Sequence, residues 1–99
     1  MFDFQKWREW LKAAAGDLRG AGFATEWKPN DEHLRSTALS ATGMDQIGCF
    51  RCFENGFVDY EVLDTETGLF VADEAMIAVN DENFADVFQK FSRTLRLPK

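Results

Sequence analysis

The sequence predicts an α+β protein of two layers, an antiparallel β-meander of about five strands with an N-terminal and a C-terminal amphipathic helix. Three observations predict it. From Gln46 to Val79, the runs QIGCFRCF, FVDYEVLD and LFVADEAMIAV are separated by Glu54-Asn55-Gly56 and Thr65-Glu66-Thr67-Gly68. Apolar, aromatic and β-branched residues alternating around Asn-Gly and Thr-Gly turns mark antiparallel hairpins. On either side of this block, apolar residues recur at helical spacing. Helices at the two ends of a run of strands, rather than between them, make an α+β arrangement.

The elements follow in order. Asp3 is placed to cap a first helix running to about Arg19, with Phe4, Trp7, Leu11, Ala15 and Leu18 as its buried stripe and Trp10 to one side. Gly20 and Gly22 supply its stop. Gly16 within it costs about 1 kcal/mol relative to Ala, which the apolar face offsets. Phe23 to Lys28 reads as a short strand ended by the turn residues Pro29-Asn30-Asp31. Leu34 to Thr42 is rich in Ser and Thr and reads as a strand with Leu39 and Ala41 on one face, and Gly43 to Asp45 leads into the meander. Glu54-Asn55-Gly56 fits a three-residue hairpin loop closed by a left-handed glycine. That register sets Arg51 opposite Asp59, Phe50 opposite Tyr60 and Cys52 opposite Val58. One face of the hairpin then carries an ion pair and the other is apolar. Asn80 caps the last helix, with Asp81 and Glu82 in its first turn and Phe84, Val87, Phe88, Phe91 and Leu95 as its stripe. Lys90, Arg93 and Arg96 complement the helix dipole, and Pro98 marks the end.

A chain of 99 residues is expected to form a single domain over its whole length, residues 1–99, and to bury roughly two-thirds of its unfolded surface. A hydrophobic fraction of 45% with 28% charged residues is that of a globular protein, and ten Phe and three Trp supply large, rigid core pieces. The formal net charge is −6, from 17 acidic and 11 basic residues. Such a balance repels phosphate backbones and anionic membranes, so neither nucleic acid nor a membrane is the expected partner; it suits plain solubility, or a basic protein partner. MFDFQKWREWLK has no basic region followed by an apolar core, and no apolar run is long enough to span a bilayer. The expected compartment is the cytoplasm. Cys49 and Cys52, three apart on a strand, point to opposite faces and are expected to be reduced thiols. With no second Cys pair and a single histidine, His33, too few soft ligands exist for a zinc site.

Two groups of residues are candidates for binding. Asp59 and Glu61 share one face of their strand, opposite to Val58, Tyr60 and Val62, and the next strand returns Asp73 and Glu74 to their neighbourhood. Four carboxylates on adjacent strands make a docking face for a basic partner, since like charges there otherwise oppose one another; a solvated outer face is the plain alternative. Phe53 and Phe57 face each other on the Arg51/Asp59 side, as an aromatic pair at an interface would, unless each sheet face is covered by one helix, which makes them core. Trp10 and Trp27 are similar cases, more often partly core than interface anchors. No nucleophile with a base, no carboxylate pair in a cleft and no phosphate loop is visible, since Gly20-Ala21-Gly22 follows a helix rather than opening one. Neither catalysis nor a cofactor is expected, and no metal.

These residues also carry a likeness. A helix of the form Phe-x-x-Trp-x-x-Trp-Leu ending in Gly-Phe is present as Phe4, Trp7, Trp10, Leu11, Gly22 and Phe23. A central strand then enters the Glu54-Asn55-Gly56 turn, FVDYEVLD and the Glu66-Thr67-Gly68 turn, and a short terminal helix follows. This resembles the TriTu-type immunity proteins of bacterial polymorphic toxin systems, over nearly the whole chain except Pro29 to Gly43. The resemblance implies a small cytoplasmic α+β protein that binds and neutralises a cognate protein toxin. It carries over no catalytic or toxin-contacting position. A basic toxin, such as a nuclease domain, would suit an acidic inhibitor. The alternative is a small acidic secretion-type chaperone or adaptor binding an effector segment; such chaperones dimerise, whereas this length leaves little for a dimer element, so a monomer is expected when free.

Overall fold

The computed structural model describes residues 2–96. It contains helix α1 (Phe4–Gly20), strands β1 (Ala24–Asn30), β2 (Ser36–Thr42), β3 (Gln46–Phe53), β4 (Phe57–Asp64) and β5 (Phe70–Ala78), and helix α2 (Phe84–Arg93). The five strands form one sheet in the order β1-β2-β3-β4-β5, every neighbouring pair antiparallel. This is the expected α+β meander between two helices. No helix among the described residues is long and apolar enough to cross a membrane.

Local chemistry sets most boundaries where the sequence puts them. The Asp3 carboxylate accepts the Lys6 backbone N–H at 3.1 Å and caps α1, and Phe4, Trp7, Leu11, Ala14 and Ala15 are its buried stripe, with Leu18 half-buried. The β3–β4 turn closes through the Gly56 N–H donating to Phe53 O at 3.1 Å with Gly56 at φ 87°, and the pairs Phe50↔Tyr60, Arg51↔Asp59 and Cys52↔Val58 are in the expected register. β1 runs two residues past Lys28, because Pro29 lies on an outer strand and loses no ladder bond it needs there. β2 buries Leu39 and Ala41 fully, as the Ser- and Thr-rich segment suggests.

The last helix starts later than expected. Asn80 does act as a cap, its side chain accepting the N–H groups of Glu82 and Asn83 at 2.9 Å each, but it caps a separate turn, and α2 proper begins at Phe84. Asp81 is therefore not part of the helix. It reaches back to α1 and accepts the Asp3 N–H at 2.9 Å and the Trp7 indole Nε1–H at 2.7 Å. Leu95 packs on the core from beyond the helix end, and Pro98 lies outside the described residues.

Both helices cover the same face of the sheet. Leu39, Ala41, Phe50, Cys52, Val58 and Val62 point to that side and form one buried cluster with Trp7 and Leu11 of α1 and Phe84, Phe88 and Phe91 of α2. The helices also touch each other there: the Trp7 and Phe84 rings stack at 4.4 Å, and Trp10 meets Phe88 edge-on at 5.0 Å. The arrangement with one helix on each face is excluded. Gly48 permits α2 to sit this low, since a Cβ at that position would stand 2.7 Å from Leu95 Cδ2 and 3.2 Å from the Phe91 ring. Beside it, buried Gln46 fastens the chain after α2, donating to Thr94 O at 3.2 Å and accepting the Arg96 N–H at 2.7 Å.

At the other side of the core, Arg8 is buried and forms a two-pronged bond to Asp31, at 2.6 and 3.1 Å, while Arg35 adds a third contact at 3.1 Å. Hydrogen bonds from Arg8 and then Arg35 hold the Asp31 carboxyl down at about 2. Asp81 is held below the usual carboxylate range by the Asp3 N–H and the Trp7 indole. Both groups are depressed in the folded state, so their contribution to stability is complete above the unfolded carboxylate pKa and is lost as pH falls from about 4 toward 2. The urea midpoint is therefore expected to fall across that window, and Asp31→Asn should flatten the fall while lowering the midpoint at neutral pH.

Phe88 touches Trp10, Phe50 and Phe91. Phe88→Ala is expected to destabilise the protein by about 3–5 kcal/mol in equilibrium unfolding. An unchanged midpoint would mean that α2 does not pack through this face.

Candidate functional site

With both helices on one side, the other face of the sheet has no layer over it among the described residues. Strand alternation decides what it carries. One row across the sheet reads Glu26, Ser40, Cys49, Glu61 and Asp73, each directly opposite the next, and a second reads Lys28, Ala38, Arg51 and Asp59. A hollow of about 190 Å³ opens among β3, β4 and β5, bordered by Cys49, Arg51, Asp59, Tyr60, Glu61, Asp73, Glu74 and Ala75. Four carboxylates and one guanidinium thus border it. Apolar residues flank it: Ile47, Leu63 and Phe70 lie in one row towards the turn after β4, and Phe53 and Phe57 stand at the β3–β4 turn.

All four carboxylates of the expected quartet border the hollow. Asp59, Glu61 and Asp73 lie on the open face. Glu74 stands at the sheet edge opposite Tyr60, whose ring stacks on Phe50 in the core. There burial, and then the Glu74 charge, push the Tyr60 hydroxyl pKa up. The expected Arg51–Asp59 ion pair is absent although the register is right. Arg51 extends towards Cys49 Sγ, 4.0 Å from its Nη2, and Asp59 Oδ1 accepts the Met76 N–H at 3.0 Å. Among the described residues Glu61 and Asp73 make no ion pair.

The bond from Asp59 marks a feature the sequence did not reveal. Tyr60 opposes Glu74 and Val58 opposes Ile77, so Ala75 and Met76 together stand against Asp59 alone: a β-bulge. Met76 lies at φ 58°, the left-handed region that favours glycine, and is 71% exposed. No Gly or Asn in FVADEAMIA signals this; the only cue is a carboxylate on the facing strand. A second register shift falls between Val62 and Leu63. Of the aromatics, Phe53 and Phe57 are half-buried on the open side, neither core nor free. Trp10 belongs to the core, edge-on to Trp7, Phe84 and Phe88. Trp27 is half-buried against the core, with the Lys12 ammonium 5.3 Å from its ring centroid. Among the described residues no group of three or more His, Cys, Asp or Glu is placed to hold a metal ion.

An antiparallel sheet with both helices behind it and a carboxylate-bordered hollow in front defines a small two-layer α+β protein. The chain belongs to the TriTu immunity protein family: the family model for immunity protein TriTu matches residues 5–94, nearly all of α1 through α2. Membership carries an immunity function and, in general, a toxin as partner. No curated protein and no solved structure matches the chain.

The two cysteines report on the two faces. Cys52 is fully buried, and burial pushes its thiol up to about 12, whereas Cys49 is half-buried at the hollow, where burial raises its pKa and Arg51 opposes the rise. A maleimide at pH 8 is expected to modify Cys49 in the native protein and Cys52 only after unfolding, read as one then two adducts by intact mass.

Proposed function

We propose that the chain neutralises its cognate toxin by laying the open face of the sheet on it, with Glu61 and Asp73 against basic groups of the toxin and Phe53 and Phe57 at the margin. The observation that carries this reading is the gathering of unpaired carboxylates in the hollow of the one sheet face no helix covers. Glu61 and Asp73 stand directly opposite each other, an arrangement that costs the free protein a few tenths of a kcal/mol and that a basic partner relieves. A nuclease domain, basic because it binds phosphate, is a partner of that chemistry. Occupation of such a site by carboxylates blocks substrate and, through complementary charge, speeds encounter. The net charge of −6 supports a long-range component to that steering. The same reading has the protein monomeric when free and acting in the cytoplasm, where two unpaired thiols are at home.

The test uses Glu61→Lys with Asp73→Lys. Both side chains are exposed and unpaired, so the fold should survive, as judged by the unfolding midpoint. Binding is measured against the toxin domain encoded by the neighbouring gene, purified in inactive form. Association at low salt is expected to slow on the order of tenfold or more, with the difference shrinking as salt rises. Unchanged association kinetics at low salt would reduce the acidic face to a solvated surface.

A further inference from the structure

We propose that the bulge at Ala75–Met76 is a preset apolar anchor: Met76 stands ready at the rim of the hollow to enter an apolar socket that lies beside a basic side chain on the toxin. This rests on the reading of the open face as the docking face, and it adds the residue that sets how long the complex lasts.

Three independent features converge on Met76. First, its backbone is held at φ 58°, where a side chain with a Cβ is disfavoured and Gly or Asn would be at ease. A residue kept in such a conformation is over-determined by its surroundings, and here the determinant is the Asp59 carboxylate, half-buried and accepting the Met76 N–H at 3.0 Å. Second, Met76 is the most exposed large apolar side chain among those described, at 71%, so the strain is not repaid by burial within the chain. Third, the bulge sets both Ala75 and Met76 against Asp59, and Ala75 and Asp59 border the hollow, so Met76 adjoins the carboxylates there. A thioether on three rotatable bonds adapts to an irregular socket, which suits an anchor.

Charge complementarity selects the occupant. A second copy pressed on this patch would set Asp59, Glu61 and Asp73 against their equals, so the face opposes self-association. What fits is a toxin surface with Lys or Arg aligned on the hollow and an apolar socket next to it. Asp59 then acts twice over. Its charge faces the partner, and its oxygen holds the bulge; as the latch it is a positioning residue.

The roles separate in kinetics. Met76→Asn keeps the N–H for Asp59 and takes the left-handed backbone more readily, while removing the knob. Its unfolding midpoint is expected to be unchanged or higher. Against the inactive toxin domain encoded by the neighbouring gene, dissociation should speed at least tenfold, with association and its salt dependence unchanged. Asp59→Asn keeps an oxygen acceptor and should leave dissociation within about twofold, whereas Asp59→Ala frees the bulge and should dissociate as fast as Met76→Asn. Normal dissociation by Met76→Asn, in a system where Glu61→Lys with Asp73→Lys slows association, overturns the anchor and leaves the docking face standing. Normal kinetics in both variants overturns both. Faster dissociation by Met76→Asn, with the charge variant inert, upholds the anchor and removes the electrostatic part of the docking reading.

Discussion

Phe50 lies at the middle of the central strand, with Tyr60, Phe84, Phe88 and Phe91 all within 6.1 Å between ring centroids. Three of these four rings come from α2, and Trp7 of α1 stacks on one of them. The aromatic cluster therefore ties sheet, first helix and last helix at one point, and it can close only if α2 drops onto β3. Gly48 makes that approach possible, two residues from Phe50 on the same face. A single contiguous core is the efficient solution for a chain this short, because dividing its buried aromatic rings between two faces would leave each core thin. The consequence is that one sheet face is committed entirely to the interior and the other is left for contact.

How far the sequence discloses this depends on the range of the interaction. Turns and caps are local, so Asp3, Gly56 and the alternation in FVDYEVLD were readable, and with them the β3–β4 register. The reason for that register was misjudged, however. No Arg51–Asp59 pair forms, and the pairing is fixed by the burial of Phe50, Cys52, Val58 and Tyr60, which a one-residue slip would expose. The placement of α2 on the same side as α1 is a tertiary matter, encoded in a glycine whose significance appears only when Leu95 and Phe91 stand over it. Asp81 was assigned to a helix start on local grounds and is in fact spent on Trp7, 74 residues away. The bulge at Met76 is the least legible element, because it is imposed from the neighbouring strand. The gathering of the carboxylates was nonetheless visible: Asp59, Glu61 and Asp73 follow from strand period, and Glu74 borders the same hollow.

The carboxylates divide by what they bond. Asp3, Asp31 and Asp81 are structural, each holding a backbone group, an indole or a guanidinium. Asp64 accepts two turn N–H groups and, with Asp45, the Arg96 guanidinium. Those bonds lower pKa where the shift is resolved, as at Asp31 and Asp81, and they make acid conditions destabilising. Glu61 and Asp73 are different, since among the described residues nothing of opposite charge is paired with them. Exposed surface pairs contribute little in any case, so an uncompensated cluster is cheap to keep. The docking face proposed above gives a reason for keeping it.

On the proposed reading, an inhibitor must reach its toxin quickly and stay bound. Diffuse negative charge serves arrival, because its field extends about a Debye length, and it does little for residence once ions and water compete at the interface. Residence comes from desolvated, shape-matched contacts at a few positions. A flat sheet face supplies few of these, since its side chains stand in even rows. A bulge breaks the row: it places one residue out of the pleat, and the hydrogen bond that the Met76 N–H donates to Asp59 holds it there. Preorganisation of that kind moves an ordering cost from binding to folding. On the reading proposed above, the open face joins arrival and residence in one surface, and it is free to do so because both helices pack on the other side.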